Sequence, residues 1–444
     1  MDYRNEYKSK LLTPAQAAKL VKSGDWVDYS TSTVFPALCD EALAARRDEL
    51  EDVKIRGNLV YGPIKAVESD PEQEHFIYSS WHTSGYERKL CDKGLCFYNP
   101  MLFRNLFWYY KSFLTVNVAF VCAAPMDEHG DFSFSVASGV ARAAVDVADL
   151  VVIEVNENLP RVRSLGGGSI NIADVDYVVE GPHAPMVSVP SREPTETDKR
   201  IAENVIPYLK DGSTIQLGIG GVPDALGMMI AQSDLKDLGM HTEFCTDAFL
   251  KLYESGKLTN KRKTMDNGIG VFGIASGTQG LYDWLADNQS FVSAKMSYVN
   301  DPYVISRLDN FISLNSCVNI DLYGQISSES SGLRHISGTG GQVDFLTGAA
   351  MSRGGMSFIC LNSTFTDKDG VERSRILPHF NGDIVTSPRS QAFYIATENG
   401  VVNLAGRSAW ERTELLVSVA APQHRDELIA AAQAQRIWRK SNKR

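Results

Sequence analysis

VASGVARAAVDVADLVVIEVN, residues 136–156, reads as a helix of small residues feeding a continuous apolar strand at Leu150 to Val155. LTGAAMSRGGMSFICLN, residues 346–362, follows the same plan, and its Ala349-Ala350 aligns with Ala143-Ala144. Strands without polar alternation, such as Leu150 to Val155 and Ser357 to Leu361, are expected to be buried on both faces, as in parallel sheets covered by helices. The predicted class is therefore α/β.

Working outward, a second pair of segments echoes in the same order. Thr13-Pro14-Ala15-Gln16 opens a helix predicted to end at Lys22; Gly24-Asp25 then leads a strand at Trp26 to Tyr29, followed by a small-residue turn before Pro36. Later in the chain a helix, Asp211-Gly212, a strand at Ser213 to Leu217, a glycine turn and Pro223 repeat that order. Two pairs in register suggest a duplicated α/β unit. The letters alone leave open that any α/β chain produces such echoes. The expectation is two similar open α/β/α domains with mainly parallel sheets. Four prolines between Gly181 and Pro194 mark the boundary, giving domains 1–190 and 191–444. Thr195-Glu196-Thr197-Asp198 then opens an amphipathic helix with a cap-like start. An irregular, hairpin-rich region is expected from Ser313 to Gly341.

Composition narrows the function classes. The 444 residues are roughly two to three domains' worth of chain, with 43% apolar and 22% charged residues, 35 Gly and 17 Pro, all ordinary for a globular enzyme. Val118 to Ala124, the longest apolar stretch, falls far short of the roughly 18 residues a membrane span needs. The start, Met1-Asp2-Tyr3-Arg4, has no signal-peptide character, so a cytoplasmic location is expected. Seven cysteines, Cys39, Cys91, Cys96, Cys122, Cys245, Cys317 and Cys360, lack paired CxxC spacing and read as reduced thiols, with no metal expected. A net charge of −10 argues against a nucleic-acid surface.

Ligands of open α/β sheets bind beyond the carboxyl ends of strands, which directs attention to the turns after Tyr29 and Leu217. Gly218-Ile219-Gly220-Gly221-Val222-Pro223-Asp224 leaves a predicted strand and precedes a helix-like run, Ala225 to Gln232. Its glycines allow close approach of the main chain, and N–H groups at a helix start stabilise phosphate or an oxyanion. Pro223 stands where a dinucleotide fingerprint has its third glycine, and no GxxxxGK[ST] occurs. Twenty-five residues past Gly218, His241-Thr242-Glu243-Phe244-Cys245 sets a carboxylate among apolar and small residues, where it must be paired, exposed in a cleft or used. Ser337-Gly338-Thr339-Gly340-Gly341-Gln342 again places glycines ahead of a helix-like stretch.

Together GIGGVPDAL, HTEFCTDAF and GTGGQVDFLTGA resemble the signature segments of the CoA-transferases that act on butyryl-CoA, 4-hydroxybutyryl-CoA and acetyl-CoA. PMDEHGDFSFS (125–135), NIDLYGQ (319–325), SGTGGQVDF and IWRKSN (437–442) are most similar to the butyryl-CoA:acetate branch. The resemblance covers nearly the whole chain and implies a CoA-transferase fold. It also implies that Glu243 attacks the acyl-CoA thioester in a ping-pong reaction through a glutamyl-CoA thioester. Gly218, Ile219, Gly220, Gly221, Val222 and Gly341 are implied to bind CoA and the oxyanion, with Gly340 and Val318 as further candidates. CoA esters are then substrates, no tightly bound cofactor is needed, and the family suggests a homodimer or larger homo-oligomer.

Several residues compete for attention. Glu398, in Thr397-Glu398-Asn399-Gly400, resembles the ENG motif of the 3-ketoacid CoA-transferases, but it lies 180 residues beyond Gly218 and is given a structural role. Asp127-Glu128-His129 lacks metal-ligand spacing and reads as a turn. The basic run Asn260-Lys261-Arg262-Lys263 either meets the anionic end of CoA or is a solvated terminus. His82, Gln216 and Arg389 are plausible cleft residues without a motif. The alternatives to butyryl transfer are a 4-hydroxybutyrate or propionate CoA-transferase, an acyl-CoA hydrolase and, from a different class, a non-catalytic acyl-CoA sensing module.

Overall fold

The computed structural model describes residues 3–441, so Met1 and Asp2 at the start and Asn442 of IWRKSN lie outside the described residues. By contact the chain forms two units. The first is Met1–Pro190 with Glu243–Asp247 and Ile269–Asn300; the second is Ser191–Thr242, Ala248–Gly268 and Asp301–Arg444.

The first unit holds eight strands: β1 (Leu11–Leu12), β2 (Trp26–Tyr29), β3 (Val53–Gly57), β4 (Phe76–Ser80), β5 (Phe97–Tyr98), β6 (Val118–Ala123), β7 (Leu150–Val155) and β8 (Tyr177–Val179). They line up as β1-β8-β7-β6-β2-β3-β4-β5, and every pairing is parallel. All six residues of β6 are buried. Val118 and Phe120 enter one core while Ala119, Val121 and Ala123 enter the other, which is why the sequence shows no polar alternation there. Thr13 caps the first predicted helix and Gln16 closes its capping box, but the helix runs only from Pro14 to Ala18. Leu20 and Val21 then donate to Ala17 and Ala18, so the chain tightens into three-residue turns before Lys22.

The second sheet uses β9 (Thr214–Leu217), β10 (Gly239–Cys245), β11 (Gly270–Ala275), β12 (Phe291–Ser293), β13 (Phe311–Ser316), β14 (Met356–Cys360), β15 (Tyr394–Thr397) and β16 (Gly400–Asn403), in the order β12-β11-β10-β9-β13-β14-β15-β16. Among its described pairings the β15–β16 hairpin is antiparallel, and β9–β10, β9–β13, β11–β12, β13–β14 and β14–β15 are parallel. In each sheet the first strand after the opening helix, β2 or β9, stands in the middle. Its next three followers extend one side and the next three the other. Helix α1 (Ser138–Val145) leads into β7 and helix α2 (Gln342–Met351) leads into β14, each second outward from the middle strand. The echo read in the letters is thus a repeat of topology, and the structure carries two similar α/β arrangements.

Chain order and contact divide the molecule differently at one place. A cut at 190/191 assigns Glu243 to the C-terminal half, whereas Glu243–Asp247 belongs by contact to the first unit. Ser276, just past β11, donates to the Cys245 carbonyl at 3.1 Å. The α1 glycine Gly139 lies so close to Gly273 of β11 that a Cβ there would sit 2.5 Å from the Gly273 carbonyl oxygen. The end of β10 is therefore drawn to the core formed by residues 1–190.

In the second unit, helix α3 (Glu196–Val205) begins with the predicted Thr195 cap, completed by Asp198. The irregular region contains the short strands Ile326–Ser327, Ser330–Ser331 and Arg334–His335. Among the described residues no helix is long and apolar enough to cross a membrane.

The solvated reading of the basic run holds for Lys261 and Arg262, which are exposed, but not for the two ends of the run. Asn260 and Lys263 are 1% and 3% exposed, because Asn260 accepts from Met240 N–H at 2.8 Å and Lys263 Nζ donates to Met240 O at 3.0 Å. Met240 lies near the start of β10, so these side chains brace the amino end of the strand. Burial lowers the Lys263 pKa to about 8, against the opposing pull of Asp266. The neutral form is favoured in the fold, so the unfolded chain binds more protons between pH 8 and 10.5 and stability rises with pH across that window. Relative to Lys263→Met, the wild type is expected to gain about 2 kcal/mol between pH 7.5 and 9.5 in denaturant titrations. A constant difference would remove the burial penalty assigned to Lys263.

Candidate active site

In the first unit, Glu243 sits near the carboxyl end of β10, half-buried between Thr242 and the buried Phe244 and Cys245. Phe244 belongs to the same apolar core as Trp81, Leu106, Ile274 and Met296, which anchors the backbone immediately beside the carboxylate. Gly273 makes room for this packing: a Cβ there would lie 2.5 Å from Met296 Sδ and 3.0 Å from the Glu243 carbonyl oxygen. The neighbouring Cys245 thiol is pushed well up by burial and then by Asp247, so it stays protonated and offers no competing nucleophile. Asp247 itself accepts from Thr278 N–H and, at 2.6 Å, from Thr278 Oγ1, which fixes the helix start at Gln279.

Asn300 holds the glutamate. Its Nδ2 donates to Glu243 Oε2 at 2.5 Å, a short charge-assisted hydrogen bond from a side chain that is 0% exposed. Asn300 ends the one-turn helix α4 (Met296–Val299), where its N–H reaches Met296 O at 2.9 Å. A donor fixed at its backbone and buried at its side chain orients one carboxylate oxygen of Glu243. No sequence motif announces Asn300: it lies 57 residues from Glu243 in a segment, Val299-Asn300-Asp301-Pro302, that reads as an ordinary helix end.

In the second unit, Gly218-Ile219-Gly220 links β9 to a helix (Gly221–Gln232) that starts a full turn earlier than the predicted Ala225. Pro223 is tolerated because its missing N–H falls in the first turn, where no partner is required. The three glycines have three different reasons. Gly218 packs on β13, with its N–H on Leu314 O at 2.8 Å and a Cβ position 3.4 Å from Asn315 Oδ1. Gly220 faces open space but adopts φ 125°, which excludes other residues. Gly221 abuts the Arg192–Asp198 ion pair, where a Cβ would collide with Asp198. Among the described residues none accepts from the N–H groups of Gly220, Gly221 or Val222. Ile219 is 47% exposed beside them.

Beneath this turn, Gln216 and Asn315 exchange amide hydrogen bonds at 3.1 Å, and Ser313 Oγ donates to Gln216 Oε1 at 2.8 Å. Gln216 is thus a brace between β9 and β13 and not a cleft residue. Thr242 Oγ1 donates to Leu217 O at 3.4 Å, tying the residue before Glu243 to the residue before Gly218. Gly340 takes φ 52° and Gly341 is the N-cap of α2, with its carbonyl receiving Phe345 N–H at 2.9 Å. The crossover order places the starts of the Gly221–Gln232 helix and of α2 on the carboxyl edge of the sheet, after β9 and before β14. Val318 has both backbone groups engaged, its N–H on Ser327 O at 2.8 Å and its carbonyl under Arg375 Nη1 at 3.0 Å.

The competing residues resolve into structural parts. Glu398 lies in the β15–β16 turn, where its oxygens accept from Ser363 N–H at 3.0 Å, from Ser363 Oγ and from Asn399. Asp127 closes a turn through His129 and Asp131 N–H and pairs with Arg161 at 2.7 Å. Arg389 is an exposed residue whose carbonyl receives Arg412. His82, half-buried in the first unit, sets its ring 6.2 Å from that of Phe103.

Comparison with known proteins adds chemistry to this geometry. Residues 1–190 match the acetyl-CoA hydrolase/transferase N-terminal domain and residues 277–432 its C-terminal domain. The chain is 47% identical to a butyryl-CoA:acetate CoA-transferase of Anaerostipes caccae, covering 100% of both, and 46% identical to a probable butyrate:acetyl-CoA coenzyme A-transferase of Syntrophomonas wolfei, covering 99% and 98%. Its fold matches the crystal structure of RipA from Yersinia pestis with a TM-score of 0.91 at 32% identity, over 98% of this chain and 100% of that one.

Proposed function

Because the chain belongs to the acetyl-CoA hydrolase/transferase family and is an enzyme that transfers CoA, we propose that it moves CoA from butyryl-CoA, or a similar short-chain acyl-CoA, to acetate through Glu243. The observation that carries this reading is the half-buried Glu243 carboxylate held by the Asn300 amide at 2.5 Å. The preference for butyryl and acetate rests on the two relatives whose names carry those acids.

The carboxylate adds to the thioester carbonyl, the C–S bond breaks, and CoA leaves as thiolate while an acyl-glutamyl anhydride forms. The thiolate then attacks the glutamyl carbonyl, releasing the first carboxylate and leaving a glutamyl-CoA thioester. Acetate reverses these two steps with its own carboxylate and departs as acetyl-CoA. Each addition builds negative charge on an oxygen, and we assign its stabilisation to the N–H groups of Gly220, Gly221 and Val222. Gly218 and Gly341, with Ile219 and Gly340 as neighbours in the same loops and Val318 as a further candidate, are assigned to CoA. A carboxylate in water is a poor nucleophile, so partial burial and an oriented donor raise its reactivity. One thioester is exchanged for another, so the chemistry calls for neither ATP nor a resident cofactor. We place this activity in the cytoplasm, in a homodimer or larger assembly.

The test is a donor panel run with and without acetate. CoA transfer to acetate is expected to exceed release of free CoA at least tenfold, with butyryl-CoA among the best donors. Equal rates with and without acetate would make the enzyme a hydrolase, and preference for 4-hydroxybutyryl-CoA or propionyl-CoA would reassign the acyl group.

A further inference from the structure

Within the first unit, an open groove of about 370 Å³ lies beside the end of β12, walled by Leu165, Gly166 and Gly167 on one side and Lys295, Ser297 and Tyr298 on the other. The wall is held to the strand: Leu165 N–H donates to Ser293 O at 2.9 Å, and Ser293 N–H to Arg163 O at 2.8 Å. Gly167 adopts φ 74°, and a Cβ at this position would collide with the Lys295 stem, so the glycine lets the lysine cross the loop. Lys295 Nζ is 5.2 Å from the centre of the Phe107 ring, which locates its charge. Among the described residues no carboxylate pairs with Lys295, and the groove's lining contains none. An oriented, unpaired cation facing an open groove stands out in a chain of net charge −10.

Lys295 and Asn300 are the two caps of α4. The four residues of that helix separate them, about 7.5 Å along its axis. The groove is therefore coupled by one rigid turn to the amide that holds Glu243, too far to touch the reacting carbon and near enough to hold a remote part of the same substrate.

We propose that this groove binds an anionic oxygen group of the substrate away from the reacting centre, with Lys295 as its cation. Two sources carry that chemistry: a phosphate of CoA, or the distal carboxylate of a dicarboxylic acid. The proposal rests on the transferase reading, and binding there would orient the thioester or the acceptor without entering the bond changes.

The experiment compares wild type, Lys295→Met and Lys295→Arg on butyryl-CoA against S-butyryl-pantetheine as donors, and on succinate against acetate as acceptors. Losing a charge-assisted contact is expected to raise KM about tenfold for the substrate whose anion occupies the groove, relative to its uncharged counterpart, with Arg restoring most of it. A KM ratio that moves for butyryl-CoA over the pantetheine ester identifies phosphate; one that moves for succinate over acetate identifies the distal carboxylate. Ratios unchanged within twofold in both comparisons, in a variant with the wild-type thermal midpoint, overturn the proposal. Turnover of butyryl-CoA with acetate by the wild type would in that case leave the transferase reading intact, and its absence would count against the transferase reading instead.

Discussion

Replacing Glu243 by Gln is expected to lower kcat by about 10⁴-fold or more while leaving the thermal midpoint near that of the wild type. The amide is isosteric and can still meet Asn300, so the half-buried pocket keeps its packing. It has no ionised oxygen, however, and cannot form the anhydride that the proposed exchange requires. Glu243→Asp is a sharper version of the same test. Shortening the side chain by one methylene withdraws the carboxylate by about 1 Å from both the thioester and the Asn300 donor, and a misplacement of that size costs about 10²-fold. Near-normal turnover by either variant would move the chemistry to another residue.

Asn300→Ala is expected to lower kcat by about 10² to 10³-fold, the usual loss when one oriented donor to a reacting oxygen is removed. The effect is expected on kcat, because Asn300 acts through the glutamate that it holds. Asn300→Asp separates positioning from mere packing. It sets a second carboxylate where the structure has an amide 2.5 Å from Glu243 Oε2, and two carboxylates that close cannot both ionise. The acid limb of the pH–rate profile must then move to higher pH, since activity waits for Glu243 to ionise against a like charge. An Asp variant with an unshifted profile and a normal kcat would reduce Asn300 to a helix cap.

Much of this arrangement was legible in the letters. The runs at Leu150–Val155 and Ser357–Leu361, which lack polar alternation, pointed to parallel sheets, because strands covered on both faces have no reason to alternate. The shared order of helix, strand and turn, small-residue before Pro36 and glycine-rich before Pro223, pointed to the repeat, which the two strand orders bear out. What stayed hidden depends on contacts between distant residues. Asn300 meets Glu243 across 57 residues with no motif, and Lys263 disappears under β10 although its neighbours in sequence are basic and polar. The glycines of the turn were readable as a cradle, but only the structure separates Gly220, chosen for its backbone angle, from Gly221, chosen to clear Asp198. Helix ends shifted for a similar reason: Gly221 can begin a helix because its N–H needs no partner there, a rule that residue preferences alone do not convey.

The repeat also clarifies how an acidic chain handles an anionic substrate. Backbone N–H groups left without an acceptor at the Gly221 helix start and the Lys295 cation supply local positive potential without a broad basic surface.

The covalent step is the centre of this account, and its most direct test is the mass of the intact protein after brief mixing with butyryl-CoA in the absence of acetate. The expected result is a CoA-sized adduct that maps to the peptide containing Glu243, disappears when acetate is added, and never forms on Glu243→Ala. A wild type that turns over butyryl-CoA while its mass stays unchanged, or an adduct that persists on Glu243→Ala, would contradict it.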